Sequence, residues 1–207
     1  MKTRILFQGD SITDADRERS RDAHLGVGYP NLVAAKLGFE EPGKYEFFNR
    51  GISGNRSIDV LARIKCDLIN LKPDVLSILM GINDVWHELA AENGVSTEDY
   101  ETYYDMFISH VKAELPDTRI IMLEPFVLKG PATEEKWDEF RSGAEEKVAA
   151  AARVAKKHGI QFVPLMAKFD EAAKLAEPEY WLKDGVHPTP MGHELIAREW
   201  LNAFKNA

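Results

Sequence analysis

Val75-Leu76-Ser77-Ile78-Leu79-Met80 and Ile120-Ile121-Met122-Leu123 are apolar almost throughout, where a strand wet on one face would alternate apolar with polar residues. Strands of this kind must be covered on both faces, which is the condition of parallel strands inside an α/β sheet. The second of these segments belongs to a strand-like run over 119–124, and further such runs lie at 3–8, 45–49 and 161–165. Helical spacing and helix-forming residues fill 31–37, 57–71, 97–115, 134–158 and 191–204, with stops at Gly38, Pro73, Pro116 and Gly159. The resulting order, βαβαβαβαβα, implies right-handed crossovers and a three-layer α/β/α sandwich around a five-stranded parallel sheet, a flavodoxin-like arrangement. No repeat, biased tract or linker divides the chain, so one domain is expected over residues 1–207.

The balance of charge excludes some partners. Twenty-six Lys and Arg stand against 34 Asp and Glu, a formal net charge of −8, with no basic stretch to meet a phosphate backbone or an anionic bilayer. Neither nucleic acid nor membrane is expected. The single cysteine, Cys66, cannot form an internal disulfide or a cysteine-based zinc site. Ile5-Leu6-Phe7 is interrupted by Gln8-Gly9-Asp10 before a signal-peptide core forms, and no window approaches the roughly 20 apolar residues of a membrane span. A soluble, cytoplasmic protein is the expectation.

In parallel sheets of this type, functional groups gather beyond the carboxyl ends of the strands. The first strand runs into Gly9-Asp10-Ser11-Ile12-Thr13, the second into Asn49-Arg50-Gly51-Ile52-Ser53-Gly54 and the third into Gly81-Ile82-Asn83-Asp84. Taken singly, the serine reads as a helix cap, the glycines as a turn and the asparagine as an Asx turn or cap. Asp184-Gly185-Val186-His187 precedes the last helix, with carboxylate and imidazole close enough along a turn to meet. The topology carries all four segments to one edge of one sheet, in the residue types that acyl transfer needs.

These four segments, in this order, resemble the motif blocks of the SGNH (GDSL-type) esterase and lipase superfamily, and the likeness extends from Gly9 to the last helix. Ile12-Thr13 follow the serine where the older family name expects leucine, at a position that does no chemistry. The resemblance implies Ser11 as nucleophile, His187 as general base and Asp184 as the group that orients it. It also implies an oxyanion hole from the Ser11 and Gly54 amides and the Asn83 side chain, with Asp10 bracing the loop beside the nucleophile. Each role has a physical need. A serine hydroxyl requires a base to take its proton, a carboxylate fixes the base's tautomer, and the tetrahedral oxyanion requires preorganised donors.

Trp86 and the Tyr180-Trp181 pair place aromatic rings near this edge, where they can dock a sugar; Asp10, Trp86 and Trp181 are the candidate substrate contacts. Within the superfamily the chain is similar to the intracellular esterases that deacetylate xylo-oligosaccharides. That likeness implies a short-acyl, foremost acetyl, carbohydrate ester as substrate, no metal or cofactor, and a homo-oligomer. A lysophospholipase or thioesterase of the same superfamily is the alternative. Two other chemistries remain open on residues alone. A receiver-like phosphoacceptor would use Asp10 and Lys168, and a metal hydrolase would use Asp10, Asp14, Asp16, His187 and His193. A non-catalytic binding module would leave the four-loop constellation without a purpose.

Overall fold

The computed structural model describes residues 2–206. Five strands form one sheet: β1 (Thr3–Gly9), β2 (Tyr45–Asn49), β3 (Val75–Leu79), β4 (Arg119–Leu123) and β5 (Gln161–Val163). Their order is β2-β1-β3-β4-β5, and every pairing is parallel. The central strands read as apolar runs because both their faces are covered; β3 is buried at every residue. Alternate residues then feed two separate cores. Ile5, Phe7, Val75, Leu79, Ile121 and Leu123 pack on one side, and Leu6, Leu76, Ile78, Met80, Ile120 and Met122 on the other.

Helices complete both layers. In chain order they are α1 (Ser11–Asp14), α2 (Tyr29–Glu40), α3 (Ser57–Ala62), α4 (Ile64–Asp67), α5 (Ile82–Ala91), α6 (Thr97–Glu114), α7 (Trp137–His158), α8 (Met166–Ala172), α9 (Pro178–Trp181) and α10 (Pro190–Lys205). α2, α8 and α10 cover the first face through Tyr29, Val33, Phe169, Ile196 and Trp200. α3, α4 and α6 cover the second through Val60, Ile64, Tyr104 and Phe107. Helix α7 serves both, giving Phe140 and Ala144 to one core and Ala150, Ala151 and Val154 to the other.

Three expectations from the sequence need correction. The single helix expected over 57–71 is α3, α4 and a 3-10 turn at Ile69–Leu71, broken at Arg63 and Leu68. Arg63 leaves helical geometry (φ −105°, ψ 11°) while its guanidinium donates to Gln8 Oε1, Arg50 O and Gly9 O. Strand β5 ends at Val163, since Pro164 has no N–H to give a ladder. Helices α1, α5, α8 and α9 lie beyond the expected set; buried Glu124 caps α8 by accepting from the Leu165 and Met166 amides at 2.6 and 2.7 Å. Among the described residues no helix is long and apolar enough to cross a membrane.

Candidate active site

Ser11 stands at the first position of α1, two residues beyond the end of β1. The preceding Asp10 is the N-cap, and its Oδ1 accepts from the Ile12 amide at 2.9 Å. The turn is tied to the loop after β2 through Asp14, whose Oδ2 accepts from the Ser53 amide at 3.0 Å, the Ser53 hydroxyl at 3.1 Å and Arg19 at 2.7 Å. Burial alone would raise the Asp14 carboxyl, but the hydrogen bonds from Arg19 and Ser53 outweigh it and hold the group ionised.

The carboxyl end of the chain supplies the partners. Ser11 Oγ lies 3.0 Å from His187 Nε2, and His187 Nδ1 lies 2.7 Å from Asp184 Oδ2. Asp184 Oδ1 accepts from the backbone amides of Val186 and His187 at 2.9 and 2.7 Å, so a tight turn sets the carboxylate beside the ring. Burial works to raise the Asp184 carboxyl; the His187 ring and the two amides overcome it and lower the group to about 2. It is therefore an anion across neutral pH. Its bond fixes the proton of neutral His187 on Nδ1, which leaves Nε2 free to accept from Ser11.

Donors face the same place. Gly54 has φ +83°, a left-handed conformation that a side chain disfavours, and its amide makes no hydrogen bond among the described residues. The Ser11 amide is likewise without an acceptor among them. Asn83, in the first turn of α5, gives one of its two amide protons to Asn55 O at 3.1 Å and keeps the other. Behind it, Asp84 has no exposed surface and accepts from the Ser57 hydroxyl and from the Ser57 amide at 3.1 Å. Desolvation raises the Asp84 carboxyl to about 6 in spite of these bonds. Helix α5 and the Gly54 segment are thus joined at two points.

Ser11, Gly54, Asn83, Trp86 and His187 line one cavity of about 800 Å³. The Trp86 ring leans on the His187 ring, with centroids 5.6 Å apart and planes at 51°, and is backed by Phe140 at 5.9 Å. His87, Lys183 and His193 also line this space and were not among the expected substrate contacts. For His193 the signal was its place three residues after Pro190 at the start of a helix that packs behind the site.

Two expected substrate contacts lie elsewhere. Asp10 has no exposed surface, since its carboxyl turns inward to cap α1, and burial pushes it up to about 7. Trp181 packs against the core beside Tyr180 (centroids 5.1 Å apart) and does not line the cavity; its carbonyl accepts from the Thr189 amide. The phosphoacceptor arrangement fails on the same ground. Asp10 is inaccessible, and Lys168 is paired with Glu199 at 3.1 Å. Among the described residues no three His, Cys, Asp or Glu side chains converge as metal ligands; Asp14 is engaged by Arg19 and Ser53.

A relay running from hydroxyl to imidazole to carboxylate, at the edge of a parallel sheet, equips a serine oxygen to attack an acyl carbon, and this is the chemistry of a serine hydrolase. The profile of the GDSL-like lipase/acylhydrolase family matches residues 7–195, and the chain belongs to that family. It is 33% identical over 208 residues to an acetylxylan esterase of Geobacillus stearothermophilus, covering 96% of this chain and 92% of that protein. The crystal structure of an acetylxylan esterase from the same organism superposes with a TM-score of 0.88 at 32% identity, covering 99% of this chain and 95% of the other. A GDSL-like lipase candidate from Parabacteroides merdae gives a TM-score of 0.94 at 36% identity, covering 99% and 96%.

Proposed function

We propose that the chain hydrolyses short-acyl esters of carbohydrates, foremost acetyl esters, through an acyl-enzyme on Ser11. The observation that carries this reading is the unbroken Ser11–His187–Asp184 relay on the wall of the cavity. His187 Nε2 takes the hydroxyl proton as Ser11 Oγ attacks the ester carbonyl. Asp184, held ionised, stabilises the imidazolium that forms. The Ser11 and Gly54 amides and the remaining Asn83 proton receive the oxyanion. The imidazolium then protonates the leaving alcohol, and a water activated by the same ring releases the acid. Asp10, buried beneath, caps the turn that carries the nucleophile.

Substrate class is supported by the wall chemistry, where Trp86 stands among polar groups, and by the similarity to an acetylxylan esterase. The test is a panel of p-nitrophenyl esters from acetyl to palmitoyl, together with acetylated xylo-oligosaccharides, given to the wild type and to Ser11→Ala. Expected are turnover of acetyl esters by the wild type alone and an acyl adduct on Ser11 by mass spectrometry. Activity confined to long-chain esters, or retained in Ser11→Ala, contradicts the reading.

A further inference from the structure

His193 is 7% exposed on α10, yet its ring reaches the cavity that holds Ser11, Asn83 and His187. One ring nitrogen is committed, because the backbone N–H of Tyr29 donates to Nδ1 at 3.2 Å. Nδ1 therefore carries no proton, and the single N–H of the neutral ring is on Nε2. Nε2 has no hydrogen-bond partner among the described residues and is not one of the fully buried unpartnered atoms, and the residue lines the cavity. Gly28 provides the seat. A Cβ at Gly28 would stand 2.9 Å from His193 Cε1 and 2.6 Å from Ala15 Cβ, so a side chain there would push the ring off the wall. Burial, reinforced by the positive charge of Lys183 and of protonated His187, lowers the imidazole to about 4. The ring is thus a neutral donor of fixed orientation, and the steps above make no use of it.

The acceptor it meets follows from the substrate. An acetyl group has only its carbonyl oxygen, which the oxyanion donors receive, so any other acceptor belongs to the alcohol. We propose that His193 Nε2–H donates a hydrogen bond to a hydroxyl or ring oxygen of the alcohol half of the ester and so favours esters of polyols. This rests on the carbohydrate-ester reading and adds to it the group that recognises the sugar. A donor left without an acceptor in the cavity discriminates against alcohols lacking such an oxygen.

The variant His193→Asn separates the two duties of the ring. Its amide oxygen replaces Nδ1 as acceptor for Tyr29, while the donor at Nε2 is lost. The readout is the ratio of kcat/KM for acetylated xylobiose to kcat/KM for p-nitrophenyl acetate, expected to fall on the order of tenfold, the worth of one neutral hydrogen bond. An unchanged ratio, with the wild type active on both esters, overturns the contact and leaves the substrate class standing. A wild type that cleaves p-nitrophenyl acetate but no acetylated xylobiose overturns both. Should the variant fail to fold, nitrogen NMR of the unaltered protein decides. The His193 Nε2–H signal is expected to move on addition of xylobiose, and a signal that stays fixed at saturation, or a proton found on Nδ1, overturns the proposal.

Discussion

Ser11→Ala and His187→Ala each remove one end of a 3.0 Å contact that nothing else in the cavity replaces. Nearly all turnover is expected to vanish in either, measured as kcat on p-nitrophenyl acetate with folding checked by circular dichroism. Asn83→Ala should be milder, losing about 2.7 to 4 kcal/mol of transition-state stabilisation, the usual worth of one oxyanion donor. A kcat close to wild type in any of the three would remove that residue from the mechanism. Activity should also show an acid limb, because a protonated His187 cannot receive the serine proton. Ser11 and Asn83 were legible because each sits in a short polar segment at the end of an apolar run, and His187 because a carboxylate stands three residues before it. That Asp10 is buried and Trp181 lies off the cavity wall was not legible. Whether a side chain at a strand end or in a short helix turns inward depends on what packs behind it, and the local sequence does not carry that information.

Among elements, the join between α5 and the segment after β2 matters most to the site. Ser57 donates twice to buried Asp84, and Asn83 donates to Asn55 O, so two oxyanion donors are held by one pair of contacts. Ser57→Ala deprives a buried carboxylate of its hydroxyl partner, and a loss of about 1 to 3 kcal/mol of stability is expected. Since Gly54 and Asn83 lose their common brace, kcat should fall more than KM rises. Chemical denaturation and steady-state kinetics together check this, and a stability loss with unchanged kcat would make the join purely structural. Strands β3 and β4 were readable because double-sided burial writes itself as nearly unbroken apolar sequence. The interruption of 57–71 was hidden, because Val60, Ile64 and Leu68 keep helical spacing across breaks imposed by Arg63 reaching to β1 and by the burial of Leu68.

Two carboxyls give the whole molecule opposite dependences on pH. Asp184, lowered to about 2, adds stability at neutral pH that is lost as pH falls through that value. Asp10, raised to about 7, does the reverse: the unfolded chain ionises it near about 3.9, so stability is lost as pH rises from there toward 7. Asp10→Asn keeps an acceptor for the Ile12 amide but cannot ionise. Its Tm relative to wild type should therefore become more favourable between about pH 5 and about pH 8. A difference that stays constant across that range would show that Asp10 titrates as in the unfolded chain. The relay itself closes over a long path, for Ser11 and His187 meet from 176 positions apart in the chain. A nascent chain that has not yet reached Asp184 and His187 carries the nucleophile without its base, so ester cleavage waits until that segment has been made and has folded back. Hydrolysis by a ribosome-released product, or by two halves expressed separately and allowed to reassociate, would serve as a built-in reporter that the distant ends have found each other.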